Sequence, residues 1–364
     1  MTRLRNTRMT TEYRHDLVLF RSRLAQAGIA GLALLAVCTP LWVGEFWMTV
    51  LIYAGIASVG ALGLNILTGY TGQVSLGHAF FLGAGAYAAA VFADRWGLPF
   101  PLWLIAAAGV GGVIGGLVGP FALRLRGNYL VLVSLGLLFL GQHVFENWRS
   151  VTGGLTGTAV TAPVALFGID VSRLAFFGAT FTRNQGWFWF TWLVVALLAL
   201  AAKNIERSRP GRALQAVRDR DMAAEIIGVS LVQYRVGAFI VSSGYAACAG
   251  ALYAAYARYL SPLDFGLFLS IQYVAMIIVG GVGSVAGSIL GALFLTALPR
   301  LVDVVGASLP FVARSTGDPG ITVANLNQAL FGLLIVVFLL AEPRGLIEVW
   351  RRIRRYFAAW PFSY

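Results

Sequence analysis

The sequence predicts an all-α polytopic membrane protein with about ten transmembrane helices. Of its 364 residues, 59% are hydrophobic and only 12% are charged, and the mean hydropathy is +0.78. Soluble domains are about a quarter charged. A transmembrane helix uses about 20 apolar residues, so ten of them leave too little chain for a second globular domain of ordinary size. We therefore expect one membrane-embedded domain and exclude an ordinary water-soluble enzyme.

Ten apolar segments follow one another along the chain. They lie at 24–43, 46–67, 74–93, 101–123, 128–146, 187–202, 236–257, 267–282, 284–299 and 325–341. The stretch 267–299 could form one span or two. Two are favoured, because cytoplasmic placement of both arginine-rich termini requires an even number of spans. The ten tryptophans lie at or near segment ends, as expected for residues at the membrane interfaces.

The basic residues predict the orientation of the chain. Arginines cluster near both ends of the chain, and seven lysine and arginine residues lie in 203–235. Because basic segments beside spans stay cytoplasmic, we expect cytoplasmic basic tails at 1–23 and 347–364. The transmembrane domain is then 24–346, with its main inner loop at 203–235 and its largest outer loop at 147–185.

The formal net charge of +12 does not indicate nucleic-acid binding. The basic clusters flank apolar stretches and do not form a patch on a soluble fold. The two cysteines, Cys38 and Cys248, lie far apart inside apolar stretches, so neither a disulfide framework nor a cysteine metal site is expected.

The apolar segments lack the groups that ion coupling and catalysis use. Essentially no Asp, Glu, Lys or Arg lies inside them, whereas proton and ion relays are built from such residues. The three histidines are not spaced as a zinc-ligand pair, and no phosphate-binding loop precedes Lys203. We expect no catalytic residue, no metal and no cofactor, so ATP that drives transport would be bound and hydrolysed by a partner chain.

One glycine-rich stretch, from Gly69 to Tyr87, carries five glycines among serine, threonine, glutamine and histidine. Backbone that leaves the helical pattern in a bilayer must be buried in protein or line a cavity, which predicts a helix break beside the translocation path. The alternative is close helix packing through small residues. The predicted path-lining residues are Asn65, Gln73, Ser75 and His78. A second run, 280–287, predicts a tight turn.

The inner loop 203–235 predicts an amphipathic helix. Pro210 suits a helix start, and 213–228 has helical spacing with Gly228 near its end. Leu214, Val217, Ala224 and Ile227 are predicted to share one face. Four acids interrupt the basic face, which favours a protein groove over anionic lipid headgroups.

The order of the spans permits an inverted repeat. Spans 2–5 and 7–10 are offset by five, an odd number, so equivalent spans run in opposite directions, as in many transporters. The 203–235 loop would lie between the two halves.

Several motifs together resemble one known family. The stretch Gly63-Leu-Asn-Ile-Leu-Thr-Gly-Tyr-Thr-Gly-Gln-Val-Ser-Leu-Gly-His78 is similar to the membrane-permease subunit of branched-chain amino acid ABC importers, the Liv type. So are Leu123-Arg-Leu-Arg-Gly-Asn-Tyr129, Thr152-Gly-Gly154, Ser208 through Gly228, and Ala341-Glu-Pro-Arg-Gly345. The resemblance covers about 45–346, although Asn128 stands where many relatives have Asp.

The resemblance implies a permease in the bacterial inner membrane with the fold of the ten-span vitamin B12-type importers. Its partners would be a second related permease, two ATP-binding subunits and an extracytoplasmic solute-binding protein. The cargo would be branched-chain or related amino acids. Urea, short amides or aromatic acids remain alternatives within the family, and an ATP-independent channel or facilitator remains an alternative outside it.

The resemblance also makes 203–235 the loop that couples to the ATPase. The importer signature Glu-Ala-Ala-x3-Gly stands here as Met222-Ala223-Ala224-x3-Gly228, with the Glu replaced. The predicted coupling residues are Pro210, Leu214, Val217, Ala223, Ala224 and Gly228.

The outer loop 147–185 is predicted to help dock the binding protein through Arg149, Arg173 and Arg183, because exposed charges steer association. With no formal charge at membrane depth, the permease is expected to have no high-affinity site, so that specificity resides mainly in the binding protein.

Overall fold

The computed structural model describes residues 31, 36–122, 128–166, 169–171, 175–176, 179–306, 323–341 and 345–359. The chain divides into two compact units, 1–44 and 45–364. In the first unit, residues 36–42 are helical, so the predicted first span lies largely outside the described residues. The elements labelled below belong to the second unit.

Helices dominate the second unit. They are α1 (Glu45–Thr71), α2 (His78–Ala90, continued by a π-helical turn Val91–Arg95), α3 (Phe100–Ala122), α4 (Asn128–Asn147), α5 (Arg149–Thr152), α6 (Arg183–Arg207), α7 (Arg209–Asp219), α8 (Asp221–Ile226), α9 (Leu231–Ala257), α10 (Leu267–Gly280), α11 (Val285–Gly306), α12 (Val323–Ala341) and α13 (Leu346–Ala359). Each predicted apolar segment after the first coincides with one of these helices.

Among the described residues, five helices are long and apolar enough to cross a membrane, namely α1, α3, α4, α6 and α9. Shorter apolar helices lie at 267–280, 285–301 and 328–337. The chain is therefore an all-α polytopic membrane protein, as the sequence predicts.

Short 3-10 helices and strands fill the connections around α5 and α9. The 3-10 helices are Gly154–Thr156 and Pro262–Phe265. The strands are β1 (Thr158–Ala159), β2 (Ala165–Leu166), β3 (Ile169–Asp170), β4 (Ala175–Phe176), β5 (Ala179–Thr180) and β6 (Tyr259–Leu260). They pair antiparallel as β1 with β6, β2 with β3 and β4 with β5. The β1–β6 pair ties the segment after α5 to the residues after α9.

Helix α9 lies at the centre of the bundle, packed against α1, α2 and α3. A Cβ added at Gly85 would overlap the backbone of Ala247, and one added at Gly250 would overlap the backbone of Leu82. The backbones of α2 and α9 therefore approach closely because both helices carry glycine at the contact. The glycine-rich stretch 69–87 had two interpretations, and one of them, close helix packing, is present where this stretch forms α2.

The bundle has two ends that hydrogen bonds define. At the first, which we call the loop end, the Asn184 amide donates to the Glu45 carboxylate at 2.6 Å, so α1 and α6 both begin there. At the second, which we call the short-helix end because it carries α7 and α8, Arg218 donates to the backbone oxygen of Gly69 at 2.8 Å. Helix α1 runs from the loop end to the short-helix end.

Two connections fold back into the bundle. His78, the first residue of α2, contacts the backbone oxygen of Gly60 at 2.9 Å, although Gly60 lies about 16 Å along α1 from its end at Thr71. Residues 72–77 therefore return alongside α1 without helical structure. The predicted departure from helix is present, and its position beside the translocation path stays a prediction. Residues 258–266 likewise lead from the end of α9 to α10, where the Ser270 hydroxyl accepts from the Ala79 N–H at 3.0 Å.

The prediction of a single helix at 213–228 is wrong, because this segment forms parts of two helices, α7 and α8. Arg220 is extended, with φ −155° and ψ 95°, and separates α7 from α8. Asp221 begins α8, where an acid is favourable at a helix N-terminus, and its carboxylate pairs with Arg235 of α9 at 3.3 Å. The break turns the second half, so Ile227 does not share the predicted face and is 75% exposed.

Candidate functional site

A cavity of about 490 Å³ opens among α1, α9, α10 and α11. Its wall on α1 is a stripe at helical spacing, formed by Phe46, Thr49, Val50, Tyr53 and Ile56, so one face of that helix contributes it. Small-molecule sites have volumes of about 300–1,000 Å³. The cavity is therefore large enough for a small solute.

Apolar side chains and a few polar groups line this cavity. The apolar ones are Phe46, Val50, Ile56, Ala57, Leu269, Met276, Leu295 and Pro299, and the polar ones are Thr49, Tyr53, Tyr253, Gln272, Tyr273, Thr296 and Arg300. Arg300, near the loop end of α11, is the charged residue of this lining. Such a lining suits a small solute that is partly apolar and carries hydrogen-bonding groups.

An aromatic and polar network surrounds the cavity at the loop end. The ring of Tyr53 packs edge-on against that of Tyr256, with centroids 5.2 Å apart. The Tyr256 hydroxyl donates to the side-chain oxygen of Asn184 at 3.0 Å. Arg183 donates to the backbone oxygen of Tyr256 at 2.6 Å and lies 5.2 Å from its ring centroid. The first turn of α6 thereby fixes the aromatic rings beside the cavity.

Tyr273 connects the cavity to the first broken connection. Its ring packs edge-on against that of His78 at 5.1 Å, and it rests on α1 at Gly60, where an added Cβ would lie 2.5 Å from the ring. Because a carbonyl oxygen only accepts, Nε2 of His78 carries the proton and donates to Gly60. His78 therefore has a structural hydrogen bond behind the cavity.

The four predicted path residues are all buried, but none lines the cavity. Asn65 accepts from the Gly283 N–H at 2.7 Å, and the Ser75 hydroxyl accepts from the Gly77 N–H at 3.3 Å. The side-chain oxygen of Gln73 has no hydrogen-bond partner within the described part of the chain. Their placement in the path thus remains a prediction.

Sequence reasoning missed the cavity residues because it looked for broken backbone and ionisable groups. A signal was present in the spacing of Thr49 and Tyr53, four residues apart on an apolar segment, and in Gln272 within another. Helical spacing places such polar groups on one face. Their convergence from α1 and α10 depends on tertiary packing, which the sequence does not display.

The short helices divide the predicted coupling residues into buried and exposed groups. Pro210 lies in the first turn of α7, where the Ser208 hydroxyl caps the helix by accepting from the Gly211 N–H at 3.3 Å. Leu214, Val217 and Ala224 are buried within the chain, since α7 packs against α1, α6 and α9. Ala223 and Gly228 are exposed.

An apolar patch on the short helices faces away from the chain. We call Met222, Ile226 and Ile227 the α8 patch, and their exposed fractions are 73%, 85% and 75%. Exposed apolar clusters rimmed by polar residues are typical of protein interaction sites. The surface available to a partner is thus this patch, and the strip formed by Leu214, Val217 and Ala224 is not accessible.

Direct hydrogen bonds join the short helices and the α10–α11 turn to the end of α1. Arg218 contacts Gly69, and the turn residue Gly283 contacts Asn65. Gly72 follows α1 with φ +71°, and a Cβ there would lie 3.2 Å from Arg218 Cγ. We call Asn65, Gly69, Arg218 and Gly283 the α1 junction. The predicted tight turn at 280–287 is present, with positive φ at Gly281 and Gly283.

The loop end carries the predicted docking arginines in different settings. Arg149 begins α5 and is exposed, Arg183 begins α6 beside Tyr256, and Arg173 lies outside the described residues. Two charged side chains hold the outer loop at Ala162. Asp94 accepts from the Ala162 N–H at 2.7 Å, and Arg258 donates to the Ala162 oxygen at 2.7 Å. Burial, followed by the nearby charge of Arg183, lowers the pKa of the Arg258 guanidinium.

In the part of the chain that the structure describes, no group of three His, Cys, Asp or Glu residues could hold a metal ion. Cys38 and Cys248 are free thiols.

Comparison with known proteins gives a consistent set of relatives. Residues 46–339 match the family described as the branched-chain amino acid transport system permease component. The high-affinity branched-chain amino acid transport system permease protein LivM of Escherichia coli is 29% identical over 337 residues, covering 89% of this chain and 75% of that protein. LivH of the same organism is 25% identical over 79% of this chain and 89% of that protein. The probable LivM of Methanocaldococcus jannaschii is 25% identical over 82% and 92%. No solved structure matches.

Proposed function

Since this chain belongs to the branched-chain amino acid transport system permease family, we propose that it is a transmembrane permease subunit of an ATP-driven ABC importer for branched-chain or related amino acids. Its relatives are transport permeases, so the chain is a transport subunit and not an enzyme. The structural observation that supports the cargo class is the partly apolar cavity with its hydroxyl and amide groups.

The cavity is the proposed entrance of the substrate path. Val50, Met276 and Leu295 offer surface to an aliphatic side chain, and Gln272 and Tyr273 offer hydrogen bonds to the amino acid head group. Nothing in this lining forms a pair of opposite charges for a zwitterion, so we expect weak binding. Weak binding favours fast release, because at a fixed association rate a tenfold tighter affinity lowers the dissociation rate about tenfold. Specificity then resides mainly in the solute-binding protein.

Equilibrium binding tests the weak-site proposal. Labelled leucine is added to the purified permease complex without its binding protein. We expect no saturable binding at micromolar concentration, and a micromolar dissociation constant would show that the permease itself selects the substrate.

The short-helix end is the proposed contact with the ATPase. In this proposal the α8 patch inserts into a groove of the ATP-binding subunit, with Ala223 and Gly228 beside it. Pro210, Leu214, Val217 and Ala224 act indirectly by fixing α7 and α8 on the chain. The α1 junction then carries movement of the short helices to α1, whose opposite half lines the cavity.

A repeated pattern of elements supports the vitamin B12-type fold with an inverted repeat. Helices α1 and α9 both have 27 residues and run in opposite directions, and a connection that folds back into the bundle follows each. The short helices that come next, α2 and α10, have 13 and 14 residues. Under this proposal α1–α2 and α9–α10 are equivalent, related through the 203–235 loop.

We further propose the membrane placement and the remaining partners. The domains are the cytoplasmic tails 1–23 and 347–364 and the permease domain 24–346, in a bacterial inner membrane. The loop end with 147–185 then faces outward and docks the binding protein through Arg149, Arg173 and Arg183. Similarity to both LivM and LivH supports a second related permease beside this one, and two ATP-binding subunits complete the assembly.

Affinity purification from native membranes tests this assembly. We expect an ATP-binding subunit and a second permease to co-purify with the chain. Ligand binding to the associated solute-binding protein then identifies the cargo. Leucine, isoleucine or valine would support the proposal, whereas urea, amides or aromatic acids would move the chain to another cargo within the family. Absence of any ATPase would favour a facilitator.

A further inference from the structure

Helix α13 separates apolar from basic side chains around its axis. Trp350, Ile353 and Tyr356 follow at spacings of three residues and therefore share one side of the helix. Their exposed fractions are 61%, 45% and 59%. Arg351 projects from the opposite side of the helix and Arg352 from the border beside Tyr356, and both are exposed. A helix of this kind presents an apolar face and a basic face to its surroundings.

The start of α13 is fixed at the short-helix end. Gly345, with φ +73°, packs so closely on the α10–α11 turn that an added Cβ would lie 2.5 Å from the Gly281 nitrogen. Ile347 and Glu348 are buried, and α13 packs against α10 and α11. A Cβ added at Gly283 of this turn would lie 3.5 Å from the guanidinium of Arg218, whose side chain is 40% exposed. Arginines at the ends of spans lie at the membrane interface and not in the hydrocarbon layer. Helix α13 therefore begins at the level of a membrane surface.

We propose that α13 is an in-plane membrane helix that binds anionic phospholipid headgroups. Trp350, Ile353 and Tyr356 enter the boundary between headgroups and acyl chains, where tryptophan and tyrosine are favoured. The arginines reach the phosphates. With 14 residues the helix is about 21 Å long, too short to cross the bilayer but suited to lying along its surface.

Charge distinguishes this helix from the α8 patch. The apolar residues of α8 stand beside the acids Asp221 and Glu225, which an anionic membrane would repel. Between Val349 and Tyr356 every charged residue is an arginine. The acid of α13, Glu348, is buried and pairs with Arg351 at 3.6 Å. The basic face is thus complementary to an anionic leaflet. Each arginine near such a surface raises the affinity of the helix for the membrane about fivefold.

Site-directed spin labelling of the whole permease complex tests this proposal. Single cysteines replace Ile353, Tyr356 or Arg351 in a chain whose Cys38 and Cys248 are serine. The labelled complex is placed in phosphatidylcholine bilayers with and without phosphatidylglycerol. Accessibility to oxygen, which concentrates in lipid, is compared with accessibility to a water-soluble nickel chelate. Leu155→Cys, on the exposed loop end, is the water-facing control.

We expect the labels at 353 and 356 to favour oxygen and the label at 351 to favour nickel. The oxygen preference at 353 and 356 should grow with phosphatidylglycerol. In chains labelled at 353 or 356, Arg351→Gln with Arg352→Gln should remove most of that growth, whereas Arg209→Gln should not. Equal nickel access at all three positions in both bilayers would overturn the proposal. Protection of 353 and 356 from both reagents would also overturn it, because a protein surface would then cover α13.

Discussion

Gly60 sets the position of Tyr273 at the inner part of the cavity. An added methyl group would meet the tyrosine ring at 2.5 Å, so Gly60→Ala has to displace that ring. Overpacking of this kind costs about 1–3 kcal/mol. We expect Gly60→Ala to lower amino acid uptake severalfold, measured per molecule of inserted permease.

Gly136→Ala is the matched control for this change. It lies on α4 with no atom within 4 Å of the added methyl group, and alanine favours the helix. Uptake should therefore be unchanged. Equal uptake in both variants would show that the position of Tyr273 does not matter to passage.

Arg218 is the residue that bonds the short helices to the end of α1. Its contact with the Gly69 oxygen is a charge-assisted hydrogen bond, and such bonds contribute about 1.5–3 kcal/mol. The arginine side chain is 40% exposed, so solvent reduces that value toward about 1 kcal/mol. We expect Arg218→Gln to reduce the amount of substrate imported per ATP hydrolysed by about fivefold, measured in proteoliposomes.

The control for Arg218 is Arg209→Gln, because Arg209 is exposed in the first turn of the same helix. It should leave the ratio of import to hydrolysis unchanged. If both variants kept the normal ratio, the α1 junction would have only a structural role.

At the scale of the element, α8 is the part of the coupling segment that a partner can reach. Burying one large apolar side chain contributes about 1.5–3 kcal/mol, and a carboxylate in its place would be desolvated without a partner. We expect Ile226→Asp to insert normally into the membrane but to weaken ATPase binding by at least about tenfold, measured by co-purification. The control is Gln233→Asp, because Gln233 is exposed at the start of α9, and this variant should bind the ATPase normally. Normal ATPase binding by both variants would exclude the α8 patch as the contact.

The same segment shows why sequence reasoning succeeded only in part. The start at Pro210 follows from helix capping, and the shared face of Leu214 and Val217 follows from apolar spacing. The sequence predicted that a partner's groove would cover this face, whereas the face packs within the chain. The break at Arg220 does not follow from local rules, and Asp221 beside it pairs with Arg235 on another helix. Long apolar helices such as α1 and α9 were predictable without any knowledge of tertiary contacts, since their composition alone requires a membrane.

The broken connections illustrate a second limit. Glycines and polar residues at 69–78 predicted the departure from helix, which the structure has. They did not predict the direction of 72–77, because that depends on long-range bonds such as His78 with Gly60 and Ala79 with Ser270. The cavity was missed for the same reason, since its residues come from four helices.

For the whole molecule, the positions of the two bundle ends make topology testable. A cysteine at Gln215 on α7 and one at Leu155 beside α5 lie at opposite ends, in a chain without Cys38 and Cys248. Because the basic loop 203–235 should remain cytoplasmic, a membrane-impermeant maleimide should label Gln215→Cys only from the cytoplasm. Leu155→Cys should react only from outside. Reaction of both from one side would contradict the assignment of the two ends.

The central claim is that this chain forms the path of an importer that ATP hydrolysis drives. The most direct test is uptake by proteoliposomes that contain the complete complex, with ATP supplied on the side of the short-helix end. With binding protein and labelled leucine on the side of the loop end, we predict accumulation above the external concentration that requires both ATP and the binding protein. Equilibration of leucine at the same rate without ATP would contradict the account and would show a facilitator.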